Sequence, residues 1–122
     1  MTQFEKELES CFDFLFKEYG FIFLVEQPET KYRDFVTIAQ AKEIRIRFIK
    51  DRSDFFLDVG STAEPDKWYE FYKILLWLKE RKLIHENFKP LNRMNDIRNH
   101  LKNYYDLINE NFHIMKNESG KW

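Results

Sequence analysis

The residues of this chain that could carry chemistry are few, and their spacing assembles no reaction. His85, His100 and His113 lie too far apart for a local metal motif, and neither HExxH nor CxxC spacing occurs. Asp96 and His100 stand four apart and share a helix face, which reads as an ordinary surface or half-buried histidine. Ser10, Ser53, Ser61 and Ser119 have no nucleophile-elbow context and no identifiable base. Three glycines, Gly20, Gly60 and Gly120, are too few for a phosphate-cradling loop or a dinucleotide fingerprint. Cys11 is the single cysteine, which excludes an internal disulfide, and its place among Phe4, Leu8, Phe12 and Leu15 reads as a small apolar core residue. The expectation is a protein that is not an enzyme and carries no metal or cofactor.

Charge and aromatic residues are gathered more purposefully in Ile44 to Gly60, IRIRFIKDRSDFFLDVG. Ile44, Ile46 and Phe48 alternate with Arg45 and Arg47; Phe55, Leu57 and Val59 alternate with Phe56 and Asp58. Period-two alternation on both sides of a polar break predicts a β-hairpin with one buried face and one face that carries arginines toward solvent. The Lys50-Asp51-Arg52-Ser53-Asp54 cluster reads as the turn, since aspartate and serine satisfy their own backbone there. Read functionally, it is a recognition loop continued on the outward face, so the candidate partner-binding set is Arg45, Arg47, Arg52, Asp54, Phe56 and Asp58.

The elements that must position this hairpin follow in order. Thr2 and Glu5 have capping-box spacing, and Phe4, Leu8, Cys11, Phe12, Leu15 and Tyr19 recur at helical steps, predicting a helix of about five turns that stops at Gly20. Phe21 to Gln27, closed by Pro28, predicts a first strand, and Glu29 to Asp34 a polar loop. Phe35 to Gln40 is a second strand, joined by short links to the Ile44 and Phe55 strands, so all four are antiparallel neighbours. Glu64-Pro65-Asp66 reads as a helix start, with proline and acids where a helix N-terminus favours them, and the run from Trp68 to Leu78 leaves little polar face. Asn92 caps a third helix whose stripe is Met94, Ile97, Leu101, Tyr104, Ile108 and Phe112. The predicted fold is α+β: a four-stranded antiparallel meander with helices on one face, in the order α-β-β-β-β-α-α.

The third helix has two readings. Its Tyr104, Tyr105, Ile108 and Phe112 end either forms a self-association patch, making the protein a homodimer, or packs on the second helix and leaves a monomer. The tail NESGKW is expected to fray.

With 122 residues the chain suits one domain, spanning 1–122, and 43% hydrophobic content with thirteen Phe supplies a core and excludes intrinsic disorder. The net charge of -1 conceals alternation. Met1 to Asp34 carries eight acids against four bases, Lys42 to Arg52 five bases against two acids, and Lys79 to Lys102 seven against three. A dedicated polyanion binder is basic overall, so the balance favours a protein partner, with a nucleic-acid-binding regulatory module using the basic sheet face as the alternative. MTQFEKELES lacks a basic region followed by an apolar run, and no segment approaches membrane-spanning length; a cytoplasmic protein without membrane contact is expected.

FDFLFKEYGF, the IRIRFIKDRSDFFLDVG strand pair and the DKWYEFYKILLWL segment after it resemble small bacterial α+β proteins of the immunity-protein type, which accompany contact-dependent or secreted polymorphic toxins. The resemblance covers residues 4 to 80 and is one of layout, with no active-site motif. It implies a cytosolic protein that binds a cognate toxin and blocks it without catalysis. It transfers no binding residues, and the helix from Asn92 to Phe112 lies beyond it.

Overall fold

The computed structural model describes residues 1–24 and 35–118. Thr2 caps the first helix, α1 (Gln3–Cys11), as its spacing predicts: its hydroxyl accepts from Glu5 N–H and the Glu5 carboxylate accepts from Thr2 N–H, each at 3.1 Å. The predicted five-turn helix is instead broken at Phe12, whose φ of -106° and ψ of 36° end α1 before a short α2 (Asp13–Lys17). The break has a packing cause. In one unbroken helix Phe12 and Phe14 would point about 200° apart; with the break both are buried, Phe12 lying 5.2 Å from the Phe48 ring and 5.8 Å from the Phe55 ring. Burying one such phenyl contributes roughly 1.5–3 kcal/mol, more than the lost turn of helix costs.

The sheet is an antiparallel meander of five strands in sequential order, not four: β1 (Ile22–Phe23), β2 (Phe35–Ala41), β3 (Ile44–Asp51), β4 (Asp54–Ser61) and β5 (Glu64–Glu70). The predicted first strand is described only as far as Leu24, whose N–H donates to Ile38 at 2.9 Å; its remainder, Pro28 and the predicted Glu29 to Asp34 loop lie outside the described residues. The β2, β3 and β4 boundaries match the alternation closely. Two-residue links turn these strands, with Lys42 and Arg52 taking positive φ of 53° and 60°.

The fifth strand is a correction. Glu64-Pro65-Asp66 opens β5 rather than a helix, because Tyr69 pairs with Val59 and sends its ring into the core against Phe112, 5.8 Å away, while Trp68 goes to the opposite face. Proline and acids suit a helix N-terminus, but they equally suit an edge strand, where proline forfeits no ladder bond and charge discourages further pairing. Ser61 makes the turn between β4 and β5, its hydroxyl accepting from Ala63 N–H at 3.1 Å.

The second predicted helix is therefore shorter, α3 (Phe71–Glu80), and ordinarily amphipathic: Phe71, Ile74, Leu75 and Leu78 are buried and Leu76 is exposed. The third is longer, α4 (Met94–Glu118), about 38 Å at the usual rise. Asn117 and Glu118 belong to it, contrary to the expected fraying there. Glu118 accepts from Trp77 Nε1 at 2.9 Å and pairs with Arg81 at 2.7 Å, tying the end of α4 to the end of α3.

One hydrophobic cluster unites Phe4, Leu8 and Phe12, the inward residues of β2 to β5, and the stripes of α3 and α4. The architecture is α+β with the helices on one face of an antiparallel sheet, as the alternation required. None of the outward-facing sheet residues belongs to that cluster.

Candidate functional site

Register places the outward residues in rows. Arg45 and Trp68 both stand opposite Gly60, on either side of it; Arg47 and Glu70 both stand opposite Asp58; Phe56 stands opposite Ile49. These positions form the face that the core cluster leaves out. Ile38 and Ile49 are buried on it, flanked in register by Arg47 and Phe56, so this face has an apolar floor and a charged and aromatic surface.

Trp68, on the edge strand β5, bounds one side of it. A Cβ at residue 60 would lie 2.9 Å from Lys67 O and 3.0 and 3.2 Å from two carbons of the Trp68 ring, so glycine there lets the indole press onto the β4 backbone. From the other side two guanidiniums lean over the ring, that of Arg47 at 4.6 Å and that of Arg45 at 5.3 Å from its centre. Each such contact contributes roughly 0.5–2 kcal/mol, according to how dry it is. The indole is thus contacted on both faces.

Arg47 is held a second time. Its Nε and an η nitrogen donate to one oxygen of Asp58 at 3.0 and 2.6 Å, and the two side chains are only 22% and 9% exposed. Burial pushes the Asp58 carboxyl above the usual aspartate range; the hydrogen bonds and charge of Arg47 pull it back, and Glu70 adds to the upward push. Arg45 is tied less fully. Its Nη1 donates to Pro65 O at 3.4 Å, and its Nε is buried without an acceptor among the described residues. Beside Trp68, where β5 gives way to α3, a cleft of about 460 Å³ opens between Phe56, Leu57 and Tyr72, with Pro90 and Leu91 on its far wall.

The sequence-derived set divides accordingly. Arg45, Arg47 and Asp58 meet around Trp68, and Phe56 borders the cleft with 38% of its surface exposed. The arginines do face away from the core, but they are half-buried and engaged rather than extended into solvent. Arg52 and Asp54 are set apart in the hairpin turn, where Asp54 accepts from Asn92 Nδ2 at 3.1 Å and the Phe55 N–H donates to Asn92 O at 2.9 Å. Trp68 and Glu70 were missed because the stretch read as helix. The signal the sequence offers is Gly60 near the end of β4, a glycine that marks a bulge or a closely approaching neighbour, and here stands at both.

The proposed self-association residues are placed in the chain's own core. Tyr105, Ile108 and Phe112 are buried, and Tyr105 lies 4.2 Å from the Tyr19 ring. They present no patch, because the helix uses that stripe to cover the sheet and α1. Tyr104 alone is half-buried, and its hydroxyl donates to Glu86 at 2.6 Å.

The remaining chemical candidates are placed singly. Cys11 donates to Asn95 Oδ1 at 3.7 Å, and burial pushes its thiol up, away from reactivity. His100 stands edge-on to Phe88, with Nδ1 3.8 Å from Glu86. Among the described residues no group of three or more His, Cys, Asp or Glu is gathered that could hold a metal ion, and no helix is long and apolar enough to cross a membrane. The outer face thus gathers an indole in contact with the β4 backbone, two guanidiniums over its ring and an adjoining cleft. Compared with protein-family models, curated proteins and solved structures, the chain matches none.

Proposed function

We propose that this protein is a non-catalytic binding module of the immunity-protein type, which neutralises a cognate bacterial toxin by seating it on the outer face of the sheet around Trp68. The observation that carries the reading is the immobilised indole, pressed onto Gly60 and held under Arg45 and Arg47 on the face that the core leaves out. A site whose side chains are already ordered loses little entropy on association, and Trp and Arg are the side chains most often found at the energetic centre of such contacts.

A nucleic-acid partner draws less support from the same geometry. Arg47 spends its charge on Asp58, and Glu70 stands beside that pair, so the face offers a phosphate backbone little net attraction. The test is co-expression with the product of the gene adjacent to this one, which the reading requires to be a toxin. Rescue of growth by the wild type and its loss with Trp68→Ala, in a variant that keeps its thermal midpoint within a few degrees, is the expected result. With purified proteins Trp68→Ala should weaken the complex by roughly 2 kcal/mol or more. An affinity that tolerates added salt is expected, whereas a steep linear fall of log affinity with log salt would point to phosphate contacts instead. Rescue by Trp68→Ala equal to the wild type would remove this face from the reading.

A further inference from the structure

Resting on the reading of this face as a protein-binding surface, we infer the chemistry of what it binds: an acidic side chain seated against Arg45 on the Trp68 platform, with an adjoining apolar residue of the same partner in the neighbouring cleft. The two arginines differ in how their charge is met. Arg47 gives two donors to Asp58, at 3.0 and 2.6 Å. Among the described residues Arg45 has no such carboxylate: its Nη1 reaches only the Pro65 carbonyl at 3.4 Å, and its Nε has no acceptor. Two of the nearby acids are drawn elsewhere. Glu64 lies 3.0 Å from both Lys67 and Lys116, and Glu70 leans toward Lys73 at 4.0 Å.

Arg45 is nevertheless fixed in direction, stacked 5.3 Å from the Trp68 ring centre. A guanidinium held this way, its Nε buried and its Nη2 without an acceptor among the described residues, offers a carboxylate an oriented η edge at low entropic cost. The alternatives are penalised. A cationic group on the partner would meet the uncompensated charge of Arg45, and a neutral one would strip water from Arg45 without returning an acceptor. The cleft supplies the second requirement. It lies against Trp68 and Arg47, with Asp58 and Glu70 also lining it, and its walls include Phe56, Leu57, Phe71 and Leu91, which accept a large aliphatic or aromatic side chain.

The probe is a random library of short displayed peptides selected on the folded protein, with Trp68→Ala for counter-selection, or Arg45→Glu in its place if circular dichroism shows that the tryptophan variant does not fold. Peptides carrying Asp or Glu near a large apolar residue are the expected yield. A representative should bind Arg45→Gln about tenfold more weakly, the loss of one charge-assisted contact. Changing the acid of that peptide to Lys should restore binding to Arg45→Glu above its binding to the wild type. A face-dependent consensus that is basic or uncharged, or affinities indifferent to Arg45, would overturn the acidic assignment while leaving the face as a binding surface. Failure to select any face-dependent peptide would overturn it as well, and toxin rescue then reports separately on the proposed function.

Discussion

Replacing Arg47 with methionine keeps most of its aliphatic stem and removes the guanidinium, leaving the Asp58 carboxylate 9% exposed with no cation. Stripping one partner from a fully buried ion pair costs roughly 3–5 kcal/mol, because the remaining charge stays desolvated. Arg47 is 22% exposed, so solvent reaches part of this pair and the expected loss is smaller. We expect about 2–3 kcal/mol at neutral pH, or a fall of about 10 °C in the thermal midpoint for a domain of this size. The pH dependence identifies the origin. Burial already holds the Asp58 carboxyl above its ordinary range, and without Arg47 only the upward pushes of burial and Glu70 remain. A carboxyl raised in the folded state favours folding when protonated, so the penalty is full above the folded pKa and disappears as pH falls below it. Denaturant unfolding of wild type and variant, repeated from about pH 8 to about pH 4, should show the stability gap narrowing toward acid. Arg47→Met combined with Asp58→Leu should recover the share of the loss owed to the unpaired carboxylate, since two apolar groups leave nothing unpaired, but not the contact of Arg47 with Trp68. A gap that does not change with pH, or a double variant as weak as the single, would refute the argument that the unpaired carboxylate is the cost.

Other consequences of the geometry are open to direct measurement. Gly60→Ala should destabilise the protein by roughly 1–3 kcal/mol and shift tryptophan fluorescence, because the added methyl meets the Lys67 carbonyl and the Trp68 ring at 2.9 and 3.0 Å; an unchanged spectrum would mean that the indole does not rest on β4. Leu75→Ala, fully buried in α3, should cost roughly 2–5 kcal/mol by equilibrium unfolding, and a change within error would place that helix outside the core. The Tyr19 phenol is pushed up to about 12 chiefly by donating to Asp106, and that of Tyr104 to about 12 by donating to Glu86. Stability from these bonds is therefore complete below about pH 10, where unfolded tyrosine ionises, and is lost as pH rises toward the folded values. Phenolate absorbance should show this late ionisation, with Asp106→Asn bringing Tyr19 down; titration of Tyr19 unmoved by that change would remove the hydrogen bond from the account.

What could be read from the sequence was whatever depended on a single period. Ile44, Ile46 and Phe48 against Arg45 and Arg47, with Phe55, Leu57 and Val59 against Phe56 and Asp58, made the β3–β4 hairpin and its inward face legible, because a one-residue slip would reverse every side chain. The capping box at Thr2 was equally legible, being a local exchange of hydrogen bonds that needs no tertiary partner. The break at Phe12 was not, since the helical period continues through it and only packing against Phe48 and Phe55 makes the break favourable. Burial of Tyr105, Ile108 and Phe112 was open for a related reason: an apolar helical stripe looks the same whether its cover is the chain's own sheet or another molecule.

The candidate site was half legible for a physical reason that the β5 error makes plain. Local signals at Glu64-Pro65-Asp66 are shared by helix starts and edge strands, so the decision fell to Tyr69, whose burial against Val59 and Phe112 is a long-range fact. Choosing strand moves Trp68 from a helix surface to the outward row opposite Gly60, and that one move changes what the arginines are. On a bare sheet face, Arg45 and Arg47 would be mobile, hydrated charges that contribute little to affinity. Beneath them the indole turns the same two residues into an ordered surface, and Asp58 then separates them, neutralising Arg47 and leaving the charge of Arg45 unmet among the described residues. The chemistry of the face is therefore set less by which charges the hairpin carries than by the aromatic ring that a neighbouring strand lays across them.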